Sequence, residues 1–329
     1  MGAAAATDLD VLRAALAWAA EGHRVVLVTV LSTWGSAPRR AGSHLVVRDD
    51  QHFVGSVSGG CVEGAVVLEA MQVLTTGCAS TVEYGVADED AWDVGLACGG
   101  RIRVLLTCLG ALERDAIETC VDQVQQRVLV GLRLSLDGGL TCVPGTEVAM
   151  SSATRRGRGV RVEDDSGTVF LRPFSPSVRA LVIGAVHIAA ALRPILELLG
   201  HQVVIVDPRR GFSATQAALD AEVVRAWPDD LFEELGLDAR TAVIALTHDP
   251  KIDDPGLEAA LRSPALYIGA LGSKKTHARR CTRLAGRGFN DRDLARIRGP
   301  IGLDIGAANP AEIALSIAGE LTATLRGRA

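Results

Sequence analysis

Apolar residues recur at helical spacing over residues 8–21, where Leu9, Leu12, Leu16 and the Ala19/Ala20 pair form one stripe. Asp8 stands at the expected N-cap, and Gly22 ends the run. The pattern then changes. Residues 24–31 are nearly all apolar and rich in β-branched side chains, as in a strand buried on both faces. Residues 44–48 and 52–57 read as two further strands around an Asp49-Asp50 turn. A helix runs from Val62 to near Gly77. Residues 81–84 and 101–107 read as strands, and 112–127 as a helix that is mostly polar on one face. Residues 128–136 and 140–143 predict a hairpin around Asp137-Gly138-Gly139.

Residues 151–167 are basic, then acidic, and poor in large apolar side chains, which reads as an irregular hairpin or linker. Pro173, Ser175, Pro176 and Ser177 mark a boundary. From residue 178 the chain alternates. Residues 179–189 are strand, Gly turn and helix, and 202–206 a strand ending in Asp207. Strands at 242–246 and 265–268 alternate with helices at 255–262 and 275–285, and a helix at 310–325 closes the chain. This alternation predicts a doubly wound parallel sheet. The expected organisation is an α/β protein. A mixed α/β domain with Gly-rich loops spans 1–150, a linker 151–177, and a Rossmann-like domain 178–329.

Composition narrows the classes. A length of 329 residues suits two domains, and 48 % hydrophobic with 22 % charged residues is a globular composition. A net charge of -5, scattered arginines and only 4 % aromatics argue against nucleic-acid binding. Seven widely spaced cysteines with no Cys-x-x-Cys pattern indicate neither a disulfide framework nor a structural zinc site, so a reducing cytoplasm is expected. The Ala-rich N-terminus lacks a basic flank before an apolar core, and no run of about 18 apolar residues predicts a membrane span.

The chemistry concentrates in Gly-marked turns. Three lie in the first 101 residues: 35–42, 55–63 and the Cys98-Gly99-Gly100-Arg101 stretch. They are expected to form one pocket rim, to which the second domain brings further groups. Gly59-Gly60 lets the backbone lie flat against a ligand, and successive amides in such a turn attract anions. Cys61 follows directly and precedes a helix, a position that favours a thiolate; Cys98 adjoins a second Gly-Gly pair. The alternative for both is a small buried hydrophobe. The acidic segment with Asp88, Glu89, Asp90 and Asp93 lacks calcium-loop spacing and reads as solvated charge, with no metal site expected.

In the second domain, Asp207 lies about 20 residues after the Gly184 turn, where a dinucleotide-binding fold holds a ribose hydroxyl. Val186 occupies the position of that motif's second glycine, and its branched side chain opposes a close pyrophosphate. His248 and Asp249 follow one strand. Gly272-Ser273-Lys274-Lys275 follows the next and opens a helix, an arrangement that grips phosphate. The Gly302–Gly306 turn carries Asp304.

These residues carry a resemblance. Gly35-Ser36-Ala37-Pro38-Arg39, Gly55-Ser56-Val57-Ser58-Gly59-Gly60-Cys61-Val62-Glu63 and Ala97-Cys98-Gly99-Gly100-Arg101 resemble the XdhC/CoxI family. Leu246-Thr247-His248-Asp249-Pro250-Lys251, the 267–275 stretch and Pro300-Ile301-Gly302-Leu303-Asp304-Ile305-Gly306 resemble its C-terminal Rossmann part. His187 is kept in the family's Gly-x-Gly-His turn, while Val186 departs from it. The resemblance covers nearly the whole chain.

The resemblance implies an accessory protein that binds the molybdenum cofactor, a phosphorylated pterin dithiolene. It would protect the cofactor during sulfuration and deliver it to a molybdenum hydroxylase of the xanthine dehydrogenase or carbon monoxide dehydrogenase type. A cysteine desulfurase would supply sulfur, and a homodimer is expected. The implied cofactor-binding set is Ser36, Arg39, Ser58, Gly59, Gly60, Cys61, Glu63, Cys98, Gly99, Gly100, Gly184, His187, Asp207, His248, Asp249, Gly272, Ser273, Lys274, Lys275 and Asp304. Glu63 is expected at the pterin edge, Cys61 or Cys98 at the metal, and no residue is assigned a catalytic role, so a chaperone is expected rather than a catalyst. The competing readings are an NAD(P)-dependent oxidoreductase and a nucleotide-sensing regulatory protein.

Overall fold

The computed structural model describes residues 6–35, 39–85, 100–146, 153–154, 157–164, 167–209 and 223–328. The chain divides into two units, Met1–Pro176 and Ser177–Ala329.

The first helix, α1 (Asp8–Ala20), is capped by Thr7. Its hydroxyl accepts the Asp10 amide at 3.2 Å, and the Asp10 carboxylate accepts the Thr7 amide at 3.0 Å. Asp8 is therefore not the cap. Its carboxylate instead accepts the His44 amide at 3.0 Å and the Arg172 guanidinium at 2.6 Å.

The centre of the first unit is β1 (Val25–Trp34), in a sheet ordered β3-β2-β1-β5-β4 with β2 (His44–Arg48), β3 (Phe53–Gly55), β4 (Ser80–Tyr84) and β5 (Arg101–Cys108). Every pairing is antiparallel. Because side chains alternate across a strand, Val26, Val28 and Val30 pack on one face against Val66, Val67 and Ala70 of α2 (Glu63–Thr76). Val25 and Leu27 pack on the other against Leu12 of α1, Ile117 of α3 (Ala111–Gln125) and a second sheet.

That second sheet, β7-β6-β9-β8, comprises β6 (Val130–Ser135), β7 (Leu140–Pro144), β8 (Val160–Asp164) and β9 (Gly167–Phe174). It takes in residues 160–174 of the expected 151–177 linker, where β8 and β9 pair as a hairpin, the first of the two alternatives read for 151–167. Exposed Arg161 and Glu163 alternate with half-buried Val160 and Val162, and Val169, Phe170 and Leu171 are buried. A short two-residue period is diluted by its polar half, so composition alone reads it as linker. His44 is held beneath β9. It stacks on Phe174 with ring centroids 5.8 Å apart and meets the Thr29 hydroxyl at 3.0 Å. Burial pushes its imidazole down to about 4, so it is neutral in the fold at ordinary pH.

The second unit has a six-stranded parallel sheet of β10 (Arg179–Ile183), β11 (Gln202–Val206), β12 (Val223–Val224), β13 (Thr241–Ala245), β14 (Tyr267–Ala270) and β15 (Ile297–Arg298), ordered β12-β11-β10-β13-β14-β15. The helices are α4 (His187–Leu198), α5 (Pro228–Leu235), α6 (Pro250–Leu261), α7 (Lys274–Ala285), α8 (Asp291–Leu294) and α9 (Pro310–Leu325). Leu192 and Leu196 of α4 share one core with Ile317 and Leu321 of α9. Phe232, Leu257 and Leu284, from α5, α6 and α7, share the other. This is the doubly wound parallel sheet the alternation predicts. No helix among the described residues is long and apolar enough to cross a membrane.

One glycine pins the end of β3. Gly55 has φ +97°, and a Cβ there would lie 2.5 Å from the His44 carbonyl and 2.7 Å from Val11. The open-space Gly22, at φ +92°, has no such neighbour. Gly55→Ala is expected to destabilise the protein by about 2–4 kcal/mol in urea unfolding, against about 1 kcal/mol for Gly22→Ala, because the first adds overpacking to backbone strain. Equal losses would remove the packing argument.

Candidate functional site

The 55–63 turn closes around a carboxylate of its own. Glu63 Oε1 accepts the Ser56 hydroxyl at 2.7 Å and the Val57 and Ser58 amides at 3.1 and 2.9 Å. Oε2 accepts the Ser58 hydroxyl at 2.5 Å and the Gly60 amide at 2.9 Å. The Ser58 oxygen in turn accepts the Cys61 and Val62 amides at 2.9 and 3.0 Å, and Ser56 Oγ accepts the Gly59 amide at 2.8 Å. Glu63 is only 6 % exposed. Burial alone would raise its pKa, but the Ser58 and Ser56 hydroxyls and the turn amides outweigh it and hold the carboxyl down at about 2.

This corrects two expectations. The amides from Val57 to Val62 do not face outward as an anion cradle, because Glu63 and the two serine oxygens take them all. Glu63 does not reach a ligand's edge, because its own oxygens accept five hydrogen bonds. What the turn presents outward is different. Gly59, Gly60 and Cys61 are exposed. Gly60 has φ +113°, and a Cβ there would meet nothing within 4 Å, so a flat ligand face can approach the backbone. Cys61 stands just before Val62, the N-cap of α2, where the helix dipole favours negative charge.

Sheet topology gathers the other turns near this one. Trp34 pairs with Arg101, Tyr84 with Ile102, and Leu45 with Gly55. The end of β1, the starts of β2 and β5, and the ends of β3 and β4 therefore share one edge of the sheet. Arg39 joins two of the turns, its Nε donating to the Ser56 carbonyl at 3.1 Å. Gly100 is buried beside exposed Arg101. Ser36, Cys98 and Gly99, together with the acidic segment from Asp88 to Asp93, lie outside the described residues.

The second unit gathers its candidates at the carboxyl ends of its strands. Asp207, only 2 % exposed, accepts the Ala185 amide of the Gly184 turn at 2.9 Å. It also pairs with Arg209 through Nε at 2.9 Å and a terminal nitrogen at 2.8 Å. Burial would raise its pKa, and these donors lower it. The expected ribose acid is thus bound within the protein, a correction to its assigned role. His187 is exposed at the start of α4.

After β13, His248 is exposed with a left-handed backbone at φ +63°, a conformation that costs a non-glycine residue of order 1 kcal/mol or more. Its amide is held at 3.1 Å by Asp253. Asp249 caps α6 through the Lys251 amide at 2.9 Å. After the neighbouring β14, Gly272 leads to Ser273, which caps α7 through the Thr276 amide at 3.2 Å. Lys274 and Lys275 are exposed in the first turn, where a cation opposes the helix dipole unless an anion is near. Asp304 is exposed after β15.

The motifs pass over the two groups that support this edge. Asp253 accepts the Thr247 hydroxyl at 2.7 Å and lies 4.0 Å from Arg280, which donates to the Leu271 carbonyl at 2.9 Å. Both are 2 % exposed or less, and burial pushes the acid up and the guanidinium down. Arg280 sits beside exposed Arg279 in a basic helix, and nothing local in the sequence separates the two.

Known proteins place the chain. A sequence profile described as the XdhC Rossmann domain matches residues 180–321, and one described as the XdhC and CoxI family matches 18–85. The chain is 31 % identical over 313 residues to the molybdenum cofactor insertion chaperone PaoD of Escherichia coli, covering 94 % of this chain and 86 % of that protein. It is 26 % identical to a probable xanthine dehydrogenase subunit of Bacillus subtilis, with 92 % and 93 % covered. A crystal structure described as a xanthine dehydrogenase from Bacillus halodurans superposes with TM-score 0.72 at 25 % identity, covering 98 % of this chain and 97 % of the other.

The buried carboxylate sets a pH dependence. Its folded pKa of about 2 lies below the ordinary value of 4.5, so its contribution is complete above pH 4.5 and is lost as pH falls from there toward 2. Acid titration of urea unfolding is expected to show up to about 3 kcal/mol lost across that window in the native chain. Glu63→Gln is expected to be less stable at pH 7 and to lack this share of the slope; an unchanged slope would show that the carboxylate is not so held.

Proposed function

The chain belongs to the XdhC and CoxI family, and we propose that it is a maturation chaperone for a molybdenum hydroxylase, with the molybdenum cofactor as its cargo. It would hold the cofactor while a cysteine desulfurase supplies the terminal sulfur ligand, then deliver it to a client of the xanthine dehydrogenase or carbon monoxide dehydrogenase type. The cytoplasm is the proposed compartment and a homodimer the proposed assembly.

The observation that carries this reading is the self-closed 55–63 turn. With its amides committed to Glu63, Ser56 and Ser58, the turn offers a Cβ-free face at Gly59-Gly60 and an exposed thiol at Cys61. These suit a flat pterin and a soft molybdenum–sulfur centre, which takes thiolate ligands. Phosphate recognition then falls to cations rather than to the turn amides. In the first unit, Arg39 is anchored to the Ser56 carbonyl through Nε, and its outer guanidinium nitrogens, with no partner among the described residues, suit an anion. In the second unit, Lys274 and Lys275 at the N-terminus of α7 are a further phosphate grip.

A nucleotide ligand for the second unit is the alternative, favoured by its strand order, which is that of dinucleotide-binding folds. Against it stand Val186, in the place of the glycine that would admit a pyrophosphate, and Asp207, whose oxygens are occupied by Ala185 and Arg209.

Anaerobic incubation with molybdenum cofactor followed by gel filtration tests the reading. Near-stoichiometric retention is expected, with Cys61→Ser and Arg39→Gln each weakening it about tenfold or more, the scale at which groups around a metal centre act. Failure of the native chain to retain cofactor, together with clear thermal stabilisation by NAD(P), would replace the chaperone reading with the nucleotide one.

A further inference from the structure

The first unit contains a cavity of about 270 Å³ that no part of the chaperone reading uses. It is lined by Trp34 and Arg103 from the first sheet, by Arg161, Thr168 and Phe170 from the second and by Leu136 just past β6, with Leu31, Ser32 and Val169 completing the wall. Register fixes which face it occupies. Ser32 pairs with Arg103 and Trp34 with Arg101, while the intervening Ile102 packs in the core on the α2 side. The cavity therefore lies on the sheet face opposite α2.

Its chemistry is specific. Trp34 is 50 % exposed at the end of its strand, a large aromatic side chain held at a cavity wall rather than in a core. Phe170 supplies a second aromatic wall and is itself buried. Arg103 is half-buried, and its guanidinium makes no hydrogen bond or ion pair among the described residues, although Glu83 stands opposite it on β4. Arg161, by contrast, is engaged with Glu163 at 3.7 Å and the Thr168 hydroxyl at 3.2 Å. One unpaired guanidinium facing a mostly apolar, aromatic wall is complementary to a ligand with one negative charge and a flat apolar body. The volume lies just below the roughly 300–1,000 Å³ of drug-sized sites, which limits the body to one or two rings.

We propose that this cavity binds a small planar aromatic carboxylate, with the ring system against Trp34 and Phe170 and the carboxylate on Arg103. The site is independent of the cofactor reading, since it shares neither Cys61 nor Arg39.

Calorimetric titration of the full chain with 2-naphthoate, and with its neutral isostere naphthalene-2-carboxamide, tests it. The acid is expected to bind saturably at one per chain, about tenfold or more tighter than the amide, in line with a charge-assisted pair. Arg103→Gln is expected to erase the preference for the acid, and Trp34→Leu to weaken both ligands. The acid-to-amide ratio is internal to each variant, so altered stability does not imitate the result. The proposal is overturned if the native chain shows no saturable binding, if acid and amide bind alike, or if the ratio survives Arg103→Gln. Binding unchanged by Trp34→Leu would likewise place the ligand elsewhere.

Discussion

A buried carboxylate must be paired or richly hydrogen-bonded, and Glu63 meets that requirement by folding a whole turn around itself. Two serine hydroxyls and three amides converge on its oxygens. The Ser58 and Ser56 oxygens then take the remaining amides, including the two that precede α2. The consequences follow in order. The acid stays ionised, the start of α2 has donors bound to oxygen, and Gly59 and Gly60 adopt positive φ because the chain must curl tightly. The outer surface is left with glycine backbone and one thiol. A turn that looks from its composition like an anion cradle already holds its anion.

Both units place their chemistry at strand ends, by different routes. In the first, antiparallel strands bring alternate chain directions to one edge, so segments far apart in sequence emerge side by side. In the second, parallel strands send every carboxyl end to the same edge. There the Asp207–Ala185 bond ties the ends of β10 and β11, and Asp253 and Arg280 support the loops after β13 and β14. The strand order is that of a dinucleotide-binding fold, yet the acid at the end of β11 is occupied internally. Fold and ligand are separable here, because the sheet is specified by buried valines and leucines and the ligand by a few polar groups at its rim.

Much of this was legible beforehand. The 24–31 run announced a doubly buried strand, and the alternation after residue 178 announced a parallel sheet, because hydrophobic periodicity is a local property of the chain. The Gly-rich turns and the family they mark were equally readable. The 160–174 stretch was not, since Val160 and Val162 are separated by charges and only Phe170 and its neighbours reveal a sheet once β6 pairs with them.

The sequence by itself determined most of the elements outside 160–174, the doubly wound class of the second half, the positions of the Gly-rich turns and the family. Tertiary structure alone decided where the polar groups point. Whether the amide of Gly60 faces a ligand or Glu63, whether Asp207 is free or held by Ala185, and whether Arg280 or Arg279 is the buried cation depend on which partner another segment brings within about 3 Å. Burial of apolar surface is non-directional and leaves its mark in periodicity. A hydrogen bond requires an approach and an angle that no single stretch of chain encodes.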